Sequence, residues 1–368
     1  MRLPRTRPQG SVSTILVTGG TGFIGSNFVR HWLAHHGTDR VVNYDLLTYA
    51  ANAKSLDDVA AREGGRYVFV HGDIRDYDRV LATIRGQSVD AIVNFAAESH
   101  NSRSVLKPQA FFETNVVGTV QLMRAALDAG VGRFHHISTC EVYGDLPLDA
   151  DDAFTESSPL VPKTPYNASK AAADLAVGAF SATYGLPVTI SNCANNYGPY
   201  QFPEKVIPHF VVSVLAGKPM TLYRSSRHRR EWLHVDDHCR AIEAIIERGR
   251  LGETYNVGSG LEVDIEGIAD RIVEILDASP ALKTYVPDRP GHDRRYLLDS
   301  SKIRAELGWQ PRIDFEEGFR DTVHWYRDNV DWWRGLLDRL DIDETSWQDP
   351  RHFESRPRSA LAQAGAIA

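Results

Sequence analysis

Cysteine is scarce: three residues, Cys140, Cys193 and Cys239, stand far apart in a chain of 368. An odd count with no C-x-x-C pair excludes a disulfide framework and a zinc ribbon, and fits a reducing cytoplasm. No apolar run approaches the roughly 20 residues that span a bilayer. Basic residues do not dominate: 41 Lys and Arg against 48 Asp and Glu leave a net charge of −7. That balance argues against a dedicated nucleic-acid binder. The start, M-R-L-P-R-T-R-P-Q-G, has no apolar stretch and reads as a disordered tail over residues 1–12 rather than a signal peptide. Neither an internal repeat nor a low-complexity tract is present. What remains is ordinary globular composition, 42% apolar and 24% charged, in a chain long enough to bury a large core unaided.

The chain then alternates. Short apolar runs at Thr14–Val17, Val41–Asp45, Tyr67–His71, Ala91–Phe95, Phe134–Ser138 and Val188–Ser191 read as strands. Helical patterns lie between them, clearest over Ala110–Ala129 and Tyr166–Tyr184. Strands apolar on both faces that alternate with helices predict a Rossmann-like, doubly wound parallel α/β sheet. Residues 192–208 are rich in Asn, Tyr, Gly and Pro, the texture of functional irregular backbone. We therefore expect an NAD-binding domain over 13–191, a smaller α/β substrate-binding lobe interleaved with it over 192–340, and a mobile tail over 341–368.

Gly19, Gly22 and Gly25 follow the first strand and open a helix. Glycines there let backbone approach a pyrophosphate, whose charge faces the helix N-terminus. Asp45 ends the next strand, 20 positions after Gly25, where a carboxylate accepts from a ribose and repels a 2′-phosphate. NAD is thus favoured over NADP, with Asp73 and Ile74 at the adenine edge. Tyr166 and Lys170 are four apart and share a helix face. An ammonium beside a phenol lowers its pKa from about 10 toward working pH, so the phenolate can take a hydroxyl proton as hydride leaves.

With Ser138 and Thr139 closing a strand upstream, this pattern resembles the short-chain dehydrogenase/reductase superfamily. Longer stretches resemble its extended nucleotide-sugar 4,6-dehydratases, nearest the dTDP-glucose 4,6-dehydratase branch. They are T-G-G-T-G-F-I-G from Thr18, Y-D-L-L-T-Y-A from Tyr44, A-A-E-S-H from Ala96 and E-T-N-V-V-G-T from Glu113. H-I-S-T-C-E-V-Y-G-D from His136, N-N-Y-G-P-Y-Q-F-P-E-K from Asn195 and D-R-P-G-H-D-R-R-Y from Asp288 complete the set, so the resemblance runs from about Ile15 to Tyr326.

The resemblance implies that Tyr166 oxidises a hexose at C4 while Thr139 bonds the C4 oxygen. Glu141 removes the C5 proton as the C6 hydroxyl leaves, and hydride returns from the cofactor. It implies further cofactor contacts at Phe23, Ile24, Leu47, Thr48, Ala96, Ala97, Thr114 and Asn196. For the substrate it implies Ser99, His100, Asn195, Lys205, Tyr223, Arg230, Asn256, Arg289 and His292. No metal is implied, and a two-fold dimer is.

Three departures stand out. The family's T-D-E-V-Y-G is here T-C-E-V-Y-G, with Cys140 where an acidic Asp protonates the leaving hydroxyl. A thiol is a weaker acid, pKa about 8.5 against about 3.9, so we expect a functional change at Cys140 and both proton transfers at Glu141. The family's V-D-R-S is here Asn101-Ser102-Arg103-Ser104. Its Y-G-x-G loop is Tyr223-Arg224-Ser225-Ser226-Arg227-His228-Arg229-Arg230, which suggests a remodelled phosphate or nucleotide contact. The product stays open between a 4-keto-6-deoxy sugar and the exocyclic alkene of a 5,6-dehydratase, as in antibiotic-type biosynthesis, on a nucleotide- or nucleoside-linked hexose. A 4-epimerase and a redox-silent NAD-binding protein are less fitting readings: the first needs no base at Glu141, the second no Thr139–Tyr166–Lys170 trio.

Overall fold

In the computed structural model, residues 13–340 and Gln348 are described. The expected tails, 1–12 and 341–368, lie outside the described residues apart from Gln348. Seven strands form the central sheet: β1 (Thr14–Thr18), β2 (Arg40–Asp45), β3 (Tyr67–His71), β4 (Ala91–Asn94), β5 (Arg133–Thr139), β6 (Val188–Cys193) and β10 (Thr254–Val257). Their order is β10-β6-β5-β4-β1-β2-β3, and every pairing is parallel. This is the Rossmann-like doubly wound architecture.

The pleat explains why both faces are apolar. Ile15, Val17, Val41, Ala91 and Val93 point into one core cluster with Phe28, Trp32, Cys239 and Ile242. Leu16, Val42 and Ile92 point into another with Leu122, Met123, Val177 and Val188. Alternate residues of one strand thus feed opposite helix layers. One layer holds the helices Phe23–His35 and Val235–Arg248; the other holds Tyr77–Gln87, Thr119–Ala129 and Pro165–Tyr184. The second half of the chain therefore returns to the first body through β10 and helix Val235–Arg248, an exchange finer than a boundary at residue 191 conveys.

A smaller lobe joins β7 (Asn195–Tyr197), β9 (Arg229–His234) and β11 (Glu262–Asp264) in one sheet, and β8 (Met220–Tyr223) with β12 (Lys283–Val286) in another. Its own core contains Phe210, Trp232, Ile268, Phe319 and Tyr326.

The stretch expected as one helix over Ala110–Ala129 is three joined pieces: α-helix Pro108–Phe112, a π-helical turn Glu113–Gly118 and α-helix Thr119–Ala129. The wider turn has a physical cause. Buried Asn115 accepts from the Glu98 amide (2.8 Å) and donates to the Glu98 carbonyl (3.0 Å) and to Ser169 Oγ (2.8 Å). At Gly118 a Cβ would come 2.7 Å from Ile74 Cδ1. Such π turns often mark functional sites.

Glu231, fully buried on β9, ties the lobe to the main body: its carboxylate accepts from the Gly260 amide (2.6 Å) and the Leu298 amide (2.9 Å). Burial lifts its pKa to about 7, the two amides offsetting part of that rise. Glu231→Ala strands both amides, so we expect a loss of about 3 kcal/mol in urea unfolding; a loss below about 1 kcal/mol would show the tie to be dispensable.

Candidate active site

The order in which the strands are added reverses between β1 and β4, and a crevice opens at their C-terminal ends, the usual ligand position in such sheets. The glycine turn lies there. Gly19 takes φ +66°, and a Cβ on it would meet Ala96 N at 2.8 Å. A Cβ at Gly25 would meet Gly19 O at 2.3 Å and Gly20 Cα at 2.8 Å. These glycines are therefore required by backbone-to-backbone contact. Gly22 caps the helix Phe23–His35 with extended backbone and no side-chain cap, leaving that helix end open to an anion.

Asp45 Oδ2 accepts from Thr21 N (2.9 Å) and Oδ1 from Leu47 N (2.7 Å), so the carboxylate also holds the turn. Burial raises its pKa despite both amides. The crevice, about 320 Å³, is lined by Gly19, Gly22, Phe23, Ile24, Gly25, Asp45, Thr48, Asp73, Ile74, Ala96, Ala97, Thr114, Tyr166, Lys170 and Asn196. Leu47 does not line it; its φ of +54° turns the chain, and the neighbouring Leu46 reaches the wall instead. Asp73 lies at the rim with its carboxylate held by Arg75 (2.6–3.0 Å).

A second cavity of about 190 Å³ continues from the first and shares Ser99, Glu141, Asn195, Asn196, Glu204 and Lys205 with it. His100, Tyr223, Arg230, Arg289 and His292 complete the expected substrate contacts on its wall. Asn195 Oδ1 and Arg289 Nε are buried without a hydrogen-bond partner, as a polar ligand requires. Asn256 is a correction. It is fully buried, accepts from the Tyr143 hydroxyl (2.9 Å), donates to Phe154 O (2.9 Å), and lines neither cavity. Arg230 lines the cavity, but its guanidinium donates to the carbonyls of Arg229, Asp293 and Arg294 and lies over the Tyr296 ring. The extra cations Arg224, Arg227 and Arg229 are exposed and line neither cavity.

At the junction, Thr139 closes β5 and Tyr166 opens the helix Pro165–Tyr184, which Thr164 caps by accepting from Asn167 N (3.2 Å). Burial, then Glu141, holds the Tyr166 phenol well above its usual pKa, while a hydrogen bond from Thr139 pulls the other way. Lys170 lines the same crevice as Tyr166. Its Nζ donates to Ile137 O (2.7 Å) and faces His136 Nε2 (3.2 Å), and His136 faces Asp174 Oδ1 (3.5 Å). Burial lowers the Lys170 pKa and raises Asp174 to about 6.

Glu141 is the second residue of the 3₁₀ turn Cys140–Tyr143 after β5 and reaches both cavities, with its pKa raised by burial and by Asp293. Cys140 is the second correction. It is 1% exposed, packs among Val142, Cys193 and Ala194, and lines neither cavity. Burial pushes its thiol pKa well up, so it holds its proton.

Residues not anticipated from sequence include Glu204, at about 7 through burial, whose carboxylate accepts from the Tyr49 hydroxyl (3.1 Å). Its place in P-E-K beside Lys205 was the available signal. Asp174 could have been found as the residue one turn beyond Lys170. One cluster with metal-like spacing occurs among the described residues, His36, Glu243 and Glu247, on neither cavity wall; His36 is already bonded to Glu243 (2.7 Å).

Comparison with known proteins gives matches over most of the chain. The GDP-mannose 4,6-dehydratase family model matches residues 16–322. A dTDP-glucose 4,6-dehydratase of Xanthomonas campestris is 46% identical over 346 residues, 89% of this chain and 97% of its own. One from Streptomyces niveus is 48% identical over 317 residues, 85% and 92% of the two chains. The crystal structure of dTDP-glucose 4,6-dehydratase from Streptomyces venezuelae with NAD bound superposes with a TM-score of 0.84 at 49% identity, covering 88% of this chain and 99% of that one.

Gly25→Ala places a methyl against two backbone atoms of the turn. We expect NAD affinity to fall at least ~100-fold, about 3 kcal/mol, in a fluorescence titration, with far-UV circular dichroism unchanged. Near-normal affinity would show that the turn does not hold the cofactor.

Proposed function

The chain belongs to the GDP-mannose 4,6-dehydratase family, and on that premise we propose that it is an NAD-dependent 4,6-dehydratase acting on a nucleotide-linked glucose, in the manner of its dTDP-glucose relatives. The observation that carries this is the convergence of Thr139, Glu141 and Tyr166 on the wall that joins a glycine-turn crevice to a second polar cavity. A 4-epimerase would have no use for a buried carboxylate there. The dTDP-glucose 4,6-dehydratase relatives favour a 4-keto-6-deoxy product over the exocyclic alkene.

Gly19, Gly22, Gly25, Asp45 and Asn196 are the residues that would hold NAD. Bound there, it would supply a hydride acceptor for C4 and a hydride donor for C6, and its cationic ring would favour the phenolate of Tyr166. Tyr166 takes the C4 hydroxyl proton, and Thr139 orients the C4 oxygen. Once C4 is a ketone, the C5 hydrogen is acidic. Glu141, poised by its raised pKa, takes that proton and then delivers one to the departing C6 hydroxyl, which leaves as water. Saturation at C6 by hydride is matched by a proton that reaches C5 from solvent while Tyr166 releases the one it took from the C4 hydroxyl, so the sugar loses one water overall. Both proton transfers fall to Glu141 because the Cys140 thiol faces the core. Ser99, His100, Asn195, Lys205, Tyr223, Arg289 and His292 form the substrate wall; Arg230 shapes it chiefly through backbone carbonyls.

Among the described residues no helix is long and apolar enough to cross a membrane. We read the enzyme as cytoplasmic, with residues 13–191 chiefly holding the cofactor and 192–340 the substrate. Phe112, Val117, Leu175 and Tyr184 are 40%, 49%, 66% and 61% exposed along the joined helices 108–129 and the helix Pro165–Tyr184. These apolar side chains favour a homodimer through a two-fold helix bundle.

Incubation with dTDP-glucose is expected to give a product lighter by one water, without vinyl protons and without net NADH. Vinyl protons would replace this reading with the 5,6-ene chemistry. Glu141→Gln should still form NADH in a single turnover while elimination falls ~10²–10⁴-fold. Cys140→Ser should keep elimination within about tenfold, short of the ~10²-fold lower edge of losing general acid help. A larger loss would restore a chemical role to the thiol. Light scattering at micromolar concentration should report a dimer; a clean monomer would refute the helix-bundle interface.

A further inference from the structure

The helix Asn101–Leu106 begins at the edge of the second cavity. Its N-cap is His100, so the Asn101 side chain is not needed to end the helix. It points to the reacting centre. Asn101 Nδ2 donates to Glu141 Oε2 at 2.8 Å, and Asn101 Oδ1 accepts from the Thr164 hydroxyl at 2.7 Å. The two bonds fix the amide's orientation, because only the nitrogen can donate to the carboxylate and only the oxygen can accept from the hydroxyl. Thr164 is in turn the cap of the helix that carries Tyr166 and Lys170. One amide therefore links the general base to the start of the catalytic helix.

We propose that Asn101 is a positioning residue for the elimination step, holding the Glu141 carboxylate in its ionised form and in a single orientation. The nucleotide-sugar dehydratase pattern has an apolar Val here, so the contact goes with this chain's other departure. Where an Asp would stand beside the base, this chain has buried Cys140, and Glu141 must work alone as base and then acid. A carboxylate with two successive jobs needs one oxygen anchored and the other free. The 2.8 Å bond anchors Oε2 and leaves Oε1 for the proton transfers.

The charge environment fixes the direction of the effect. Glu141 is surrounded by Asn101, by Asp293 on the segment after β12, by Arg289 on that same segment and by Arg230 on β9. Tyr166, Tyr296, Cys140 and Cys193 lie close enough to feel its charge. Burial and Asp293 push its pKa up; the Asn101 bond, then Arg289 and Arg230, pull it down. Removing the amide donor deletes the first of the lowering contacts, so the base titrates at higher pH.

The inference rests on the 4,6-dehydratase reading, and the test separates the two. In single-turnover experiments, NADH absorbance reports C4 oxidation and product mass reports water loss. Asn101→Leu, close to Asn in volume, should oxidise C4 at the wild-type rate, which also shows that the variant is folded. Its pH profile should shift up by about one unit, with elimination slowed about tenfold on the acidic limb, tenfold per unit. Asn101→Asp keeps the shape but replaces the donor by an acceptor, and should slow elimination at least as much at neutral pH. An elimination profile of Asn101→Leu that overlays wild type, or an Asn101→Asp as fast as wild type, overturns the role of Asn101. A uniform slowing of oxidation and elimination with no pH shift also overturns it, since that is what a merely structural contact would give. If wild type itself forms NADH but loses no water, it is the dehydratase reading that fails.

Discussion

The backbone approach between the ends of β1 and β4 constrains everything downstream. The two strands are neighbours in the sheet although 73 positions separate Thr18 from Ala91, and they pair from Ile15–Ala91 to Thr18–Asn94. Beyond that register the chains diverge, one into the glycine turn, the other into Phe95, Ala96 and Ala97. There is no room for a Cβ at Gly19 between them. The crevice, the open helix N-terminus at Phe23 and the placement of Asp45 at the adjacent strand end all follow from this one contact.

The second theme is what burial does to charge. Asp45, Glu141, Asp174, Glu204 and Glu231 all lie in poorly solvated positions, and desolvation raises each of them. The same effect lowers Lys170 and lifts Tyr166. At Glu231 the effect is structural, because backbone amides occupy both oxygens. At Glu141 it is chemical, because the group faces open cavity and a raised pKa suits one carboxyl to serve as base and then as acid. Residues of one kind thus divide by what faces them. Cys140 shows the converse: placed between two cavity residues in the chain, it turns into an apolar cluster and stays a protonated filler.

The parallel sheet was legible in advance because strands such as Ile15-Leu16-Val17 are apolar at every position, which only two-sided cover explains. The glycine turn and Asp45 were legible because their function depends on spacing along the chain. β10 was not, since Thr254–Val257 is too short to announce itself and joins the sheet only by pairing with β6. The π turn at Glu113–Gly118 was hidden as well. Its cause is Asn115 meeting the backbone of Glu98, a contact made by packing rather than by local propensity.

The amino-acid sequence by itself determined the fold class, the cofactor turn, the Tyr166–Lys170 helix face and the presence of Glu141 beside Thr139. Each is a local pattern whose meaning survives without its neighbours. Only the tertiary structure decided where side chains point: Lys170 toward His136 and Ile137, Asn256 into the core, Cys140 away from the cavity and Asn101 onto Glu141. Orientation is set by contacts between segments far apart in the chain, 40 positions between Asn101 and Glu141 and 63 between Asn101 and Thr164. Spacing along the sequence carries no record of such contacts.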